Sequence, residues 1–393
     1  MSKDKNKKKF SIKEYWKETT DVHFLLGCRF DVFMKLLSEN HFKIAPKRIP
    51  RVLYIGAISA VLSVPALAEE VYCKFKVYPF TKLKSPLFIL GHWRSGTTYL
   101  FELLAEDSQF TYMNPASTYT TNNFLFMRKV IDNFMESGIG DGRPMDNMDY
   151  NIESPSEETF ALASRNTRSC MNMVVFPKNY TTYYRYAFTK RMTMDERMQW
   201  EQDYLHILKK VVYEDAKQQG LTKPSEYRRL LLKSPDNTGH VEELLHLFPK
   251  ARFVSIYRNP YKVIKSTLNM LEVSLPMLYF QEIPDREIIM DYLVDMYEDI
   301  YRAYLEEIGS VPKGHLLEIR YESFVKEPLV YLKRIYKELG IPGYKKAEPN
   351  FIRHIESVKD YKTNRFVIEP ELKAKINRRL KFAFDYFGYE MEE

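Results

Sequence analysis

Four short stretches of the chain carry apolar residues on both faces: Leu87 to Leu90, Leu230 to Leu232, Phe253 to Tyr257 and Leu316 to Ile319. Strands of this kind are buried on both sides, as in a parallel sheet covered by helices. The intervening segments Asp195 to Gln219 and Asp285 to Ile308 are long and rich in helix-favouring residues. The pattern predicts an α/β fold of three layers, with a central, mostly parallel sheet flanked by helices.

Ahead of the first strand the period changes. Phe24, Leu25, Val32, Phe33, Leu36 and Leu37 recur at three- and four-residue spacings, and Pro50 suits the first turn of a following helix, where its missing N–H costs nothing. Residues 1–83 are therefore expected to form a helical N-terminal extension, and residues 84–393 the main domain. Within the extension, Val52 to Ala68 is free of charge and ends in Ala66-Leu67-Ala68, like an exported signal with its cleavage site, but it lies too deep in the chain to be one. Gly56, Ser59, Ser63 and Pro65 dilute the run, and a bilayer span takes roughly 20 apolar residues. A buried or otherwise hydrophobic helix is the first expectation for residues 52–68, peripheral membrane contact the second and a true span the last. Residues 112–190 are rich in Tyr, Met, Asn and Phe with weak periodicity, which suggests a lid or acceptor-binding insertion.

Composition narrows the partners. The formal net charge of +7 over 393 residues is concentrated at one tip, where Lys3, Lys5, Lys7, Lys8 and Lys9 crowd together. The mildly basic remainder suits an anionic small molecule or a membrane surface, and no nucleic acid is expected. Cys28, Cys73 and Cys170 are far apart, so neither a disulfide framework nor a zinc ribbon is indicated. The expected location is the reducing cytoplasm, with membrane association as an option.

The chemistry concentrates in residues 86–100, PLFILGHWRSGTTYL. A strand runs into a turn bounded by Gly91 and then into a helix. Successive backbone N–H groups of such a turn converge on one point, the helix adds its positive end there, and Arg94, Thr97 and Thr98 supply further donors. Such a turn is expected to hold a phosphate or sulfate group. The lysine of the G-x-x-x-x-G-K-[ST] nucleotide loop is missing, and later strands end in Lys233, Arg258 and Arg320 rather than in carboxylates, so no metal is expected.

Two motifs together carry a family resemblance. Trp93-Arg94-Ser95-Gly96-Thr97-Thr98-Tyr99 resembles the 5′-phosphosulfate loop of sulfotransferases that use 3′-phosphoadenylyl sulfate. Arg252 to Pro260, with Arg258-Asn259-Pro260 and Ser266 in the next helix, resembles their 3′-phosphate motif. The similarity runs from about Ser85 to the C-terminus and is nearest the bacterial branch. It implies a P-loop-like fold and 3′-phosphoadenylyl sulfate as co-substrate, bound by Arg94, Ser95, Gly96, Thr97, Thr98, Tyr99, Arg258, Ser266, Tyr321, Asn364 and Arg365. It also implies that Lys233, in Leu-Leu-Lys-Ser-Pro, reaches the transferring group. Some bacterial relatives act on steroids and sterols, so by resemblance the acceptor is a small lipophilic hydroxyl compound of that class.

In-line attack by a hydroxyl builds negative charge toward the 5′-phosphate, where Arg94, Lys233 and the loop amides stabilise it. The base is harder to place. Animal cytosolic relatives have a histidine two residues after the central lysine, where this chain has Pro235. Glu157 and Glu158 are the catalytic candidates, and both also suit the first turn of a helix. Asp236 and His240 are further candidates, whereas His92 reads as structural. Two other classes stay open: a P-loop kinase or NTPase, which requires magnesium and ATP, and a non-catalytic membrane-associated nucleotide binder.

Overall fold

The computed structural model describes residue 20 and residues 22–138, 151–359 and 367–392. Strands β1 (Leu87–Leu90), β2 (Phe110–Thr111), β3 (Arg229–Leu232), β4 (Arg252–Tyr257) and β5 (Leu316–Arg320) form one sheet in the order β2-β3-β1-β4-β5. All neighbouring strands are parallel, with Leu87 of the central β1 opposite Leu231 on one side and Arg252 on the other. The four strands expected from apolar runs are present to within one residue at either end. The fifth, β2, had no signal of its own, because a two-residue edge strand shows no periodicity.

Side chains alternate between two cores, as the pleat requires. Leu87, Ile89, Leu231, Val254 and Ile256 face the smaller core. It is completed by α3 (Thr97–Ala105), α9 (Pro328–Glu338) and α10 (Tyr344–Ser357). Phe88, Leu90, Leu232 and Phe253 face the larger one. There the N-terminal helices α1 (Phe30–Glu39) and α2 (Ile49–Tyr72) join α6 (Met194–Gln218), α7 (Pro260–Leu278), α8 (Arg286–Glu307) and α11 (Pro370–Arg379). Helix α6 begins where Thr193 and Glu196 close a reciprocal cap: the Thr193 hydroxyl accepts from the Glu196 N–H at 3.3 Å, and the Glu196 carboxylate from the Thr193 N–H at 2.9 Å.

Between β2 and α6 the described chain forms α4 (Phe124–Gly138), α5 (Glu158–Arg165) and several single-turn helices. Nearly every residue from Ser156 to Phe176 is buried, so no polar stripe marks the helical period there.

Helix α2 narrows the first expectation for residues 52–68. It is a hydrophobic helix buried on one side only: its inner side, including Val52, Ile55, Gly56 and Ser59, is covered, while Leu53, Val61, Val64 and Leu67 are exposed. The charge-free run reflects two different neighbours, the protein on one side and the surroundings on the other.

Candidate active site

Three backbone positions shape the turn after β1. Gly91 (φ 141°), Arg94 (φ 67°) and Gly96 (φ 102°) all take positive φ. A Cβ on Gly91 would lie 2.4 Å from the carbonyl oxygen of Ile256, and one on Gly96 would lie 2.2 Å from the ring of Tyr321. Arg94 takes the left-handed conformation without glycine's freedom, which costs on the order of 1–3 kcal/mol and is held by the surroundings. Ser95 Oγ donates to the His92 carbonyl at 2.7 Å, Gly91 N–H donates to Thr238 Oγ1 at 2.8 Å, and His92 N–H to the Tyr301 hydroxyl at 3.3 Å. Helix α3 then starts at Thr97 with Gly96 as its cap and no side chain bonded to its first N–H groups. Those amides keep the donor capacity that a side-chain cap would consume.

The second motif lies against the first. Arg94 Nε donates to Ser266 Oγ at 3.1 Å, and Arg258 donates to the Arg94 carbonyl at 3.4 Å. The Arg258 guanidinium also sits over the Tyr321 ring, 4.2 Å from its centre. Asn259 caps α7 by accepting from the Tyr261 and Lys262 N–H groups, which fixes Arg258 just ahead of the helix and Ser266 in its second turn. Among the described residues Arg258 forms no ion pair with a carboxylate. Tyr99 is half-buried beside Phe324, ring centres 5.5 Å apart, and burial pushes its hydroxyl up to about 12.

At the end of β3, the buried Lys233 reaches two groups. Its ammonium pairs with the Glu157 carboxylate and lies 3.4 Å from Thr98 Oγ1. Glu157 is the residue ahead of α5, so its carboxylate sits at that helix's positive end. The neighbouring Glu158 is enclosed. Its Oε1 accepts from Tyr204 at 3.1 Å and from Asn237 at 2.5 Å, and burial raises its pKa. Beside it lies Asp236, whose Oδ2 accepts from Thr159 at 3.0 Å; burial first, and then the Glu158 charge, push it from 3.8 to about 7.

Of the residues singled out from the sequence, Arg94, Ser95, Gly96, Thr97, Thr98, Arg258, Ser266 and Tyr321 come together around the turn, and Lys233 brings Glu157 to it. His240 is packed on Trp200, ring centres 5.0 Å apart, and burial depresses its pKa to about 3. His92 is fully enclosed against Tyr297, and burial lowers its pKa to about 4. Asn364 and Arg365 fall outside the described residues; Glu369, beyond them, pairs with Lys265, next to Ser266, at 2.6 Å. Sequence reasoning missed the supports: Thr238, Tyr301, Tyr204 and Asn237 come from distant segments and carry no local motif.

Comparison with known proteins bears on the fold and the family. The omega-hydroxy-beta-dihydromenaquinone-9 sulfotransferases Stf3 of Mycobacterium bovis and Mycobacterium tuberculosis are each 27% identical over 365 residues, 93% of this chain and 91% of theirs. Sulfotransferase STF9 from Mycobacterium avium shares the fold with a TM-score of 0.61 at 18% identity, covering 93% of this chain and 98% of the other. Sulfotransferase STF1 from Mycobacterium tuberculosis does so with a TM-score of 0.56 at 14% identity, covering 94% and 98%. The sequence profile of the sulfotransferase family matches residues 86–346, most of the chain, from the first strand to beyond the last; the protein belongs to that family and is a sulfotransferase.

Proposed function

We propose that this enzyme moves the sulfuryl group of 3′-phosphoadenylyl sulfate to a hydroxyl of a small lipophilic molecule. The observation that carries the donor assignment is the contact between the two anion-binding elements, Arg94 on Ser266 and Arg258 on the Arg94 carbonyl. A donor with phosphates at both ends of one adenosine fits two adjoining cationic elements, and the close approach of Gly96 to Tyr321 leaves room for backbone amides but for no side chain. When bound, the donor supplies the electrophilic sulfur and its leaving phosphate.

The chain's own groups divide the work. Arg94, Thr98 and the amides at the start of α3 hold the sulfated end, Arg258 and Ser266 the 3′-phosphate, and Tyr99 and Tyr321 flank the base. Arginine keeps its proton at any working pH, so Arg94 acts by charge alone. Glu157 accepts the proton of the acceptor hydroxyl. Once that carboxylate is neutral, the Lys233 ammonium loses its resting partner, and its full charge faces the group departing beside Thr98. Glu158 and Asp236, held by Tyr204, Asn237 and Thr159, position α5 and thereby Glu157.

Support for a lipid acceptor comes from the aromatic side chains packed on α5, where Phe160 meets Phe24 and Tyr119, and from the named substrate of the mycobacterial relatives, an omega-hydroxy-dihydromenaquinone. That name favours a hydroxyl on a prenyl chain, and the sequence resemblance favours a steroid or sterol. The test is a panel of prenyl alcohols, sterols, phenols and sugars with labelled donor. Transfer to a lipid hydroxyl is the expected outcome, and transfer to sugars alone would refute the acceptor class. In parallel, 3′,5′-bisphosphoadenosine should raise the melting temperature in EDTA, as tight ligands do by mass action. A response only to ATP with magnesium would refute the donor.

A further inference from the structure

The outward side of α2 is unlike the rest of the surface. Between Leu53 and Val71 every exposed position is Leu, Val or Ala. Leu53, Val61, Val64 and Val71 are 68%, 71%, 73% and 55% exposed. Their spacing keeps them on one side of the helix, and with Phe75, exposed beyond the last turn, the strip extends for about 30 Å. Phe126 and Val130 of α4 lie exposed on the adjoining helix, the ring of Phe126 being 5.2 Å from that of Tyr72. Soluble surfaces rarely leave a contiguous apolar area of this extent uncovered.

The ends of the strip carry charge of one sign. Lys43 and Lys47 are exposed at its start, and Lys74 and Lys76 at its finish. Apolar side chains bounded by lysines are the chemistry of a helix that lies in a bilayer interface, with the side chains among the acyl chains and the ammonium groups at anionic headgroups.

The inner side of the same helix is tied to the protein by buried charges. Glu69 and Lys210 form an ion pair at 2.5 Å with both side chains 1% exposed, and Glu69 also accepts from the Phe126 N–H at 2.9 Å. Glu70 pairs with Arg165 of α5 at 3.1 Å. Withdrawing α2 from the body to make a span would strand these charges in hydrocarbon, which is costly. Pairs such as these fix one side of the helix to the protein and leave the other for lipid.

We propose that the enzyme docks on anionic membrane surfaces through the outward side of α2, with α4 beside it, lying in the plane of the interface rather than through it. The inference is independent of the identity of donor or acceptor.

Co-sedimentation of the full chain with vesicles tests it. The protein should pellet with phosphatidylcholine vesicles containing phosphatidylglycerol, less with phosphatidylcholine alone, and less again in high salt. Lys74→Gln with Lys76→Gln should weaken binding by about 25-fold, at about fivefold per lysine. Val61→Asp with Val64→Asp should abolish it, and the gentler Val61→Ser with Val64→Ser should weaken it by at least about tenfold, with melting temperature and circular dichroism unchanged in both. Wild-type protein that stays in the supernatant with both vesicles would overturn the proposal. So would variants that bind like wild type, or a dimer in sedimentation velocity that buries residue 64 and persists when vesicles are added.

Discussion

The turn after β1 and the start of α5 meet at Lys233, yet they are built by opposite means. In the turn, backbone conformation does the shaping: two glycines and one strained arginine aim amides and a guanidinium at a point, and the side chains are few. At α5 the backbone is an ordinary helix start. What distinguishes Glu157 from Glu158 is environment alone, one carboxylate beside an ammonium near solvent and the other sealed among Tyr204 and Asn237. A site shaped by backbone leaves a signature in sequence, whereas one shaped by packing does not.

Four substitutions test that contrast. Glu157→Gln should cost about 10²–10⁴ in kcat while leaving binding of 3′,5′-bisphosphoadenosine intact, because it removes a proton acceptor and not a donor contact. Activity within a few-fold of wild type would remove Glu157 from the mechanism. Arg94→Ala should lower kcat by about 10²–10³ and also weaken nucleotide binding, the two losses appearing together in steady-state and thermal-shift measurements.

Asp236→Asn addresses stability. The folded carboxyl is raised from 3.8 to about 7, so the native state holds a proton that the unfolded chain releases. The resulting contribution is intact below the lower value and is lost as pH rises through the window, with a slope of up to about 1.4 kcal/mol per pH unit. Denaturation midpoints of the variant should therefore fall less than those of wild type between about pH 5 and about pH 7; parallel curves would contradict the assignment. The smallest effect is expected from Glu158→Gln, which keeps the shape and replaces an acid already biased toward its neutral form. Turnover should change by less than about tenfold, and a loss matching that of Glu157→Gln would erase the distinction between the two.

The fold was legible where residues answer to one environment. Leu87 to Leu90 is apolar because both sheet faces are covered, and its limits were read correctly; Gly91 and Gly96 announced a turn because few other residues tolerate it, whereas the left-handed Arg94 left no such mark. Elsewhere the sequence left two environments superposed. The charge-free run of α2 serves the core with Ile55 and the exterior with Val64, and no pattern in the letters says that only one side is covered. Adjacent identical glutamates are an extreme case of the same ambiguity. Thr238 and Tyr301, which brace the turn from 147 and 209 residues away, became visible only with the tertiary structure.

The narrow gap between Gly96 and the Tyr321 ring has a mechanical meaning. A Cβ on residue 96 would lie 2.2 Å from the ring, so the size allowed at one position is set by the other. Gly96→Ala should therefore displace the ring, and removing the ring as well with Tyr321→Ala should relieve that clash.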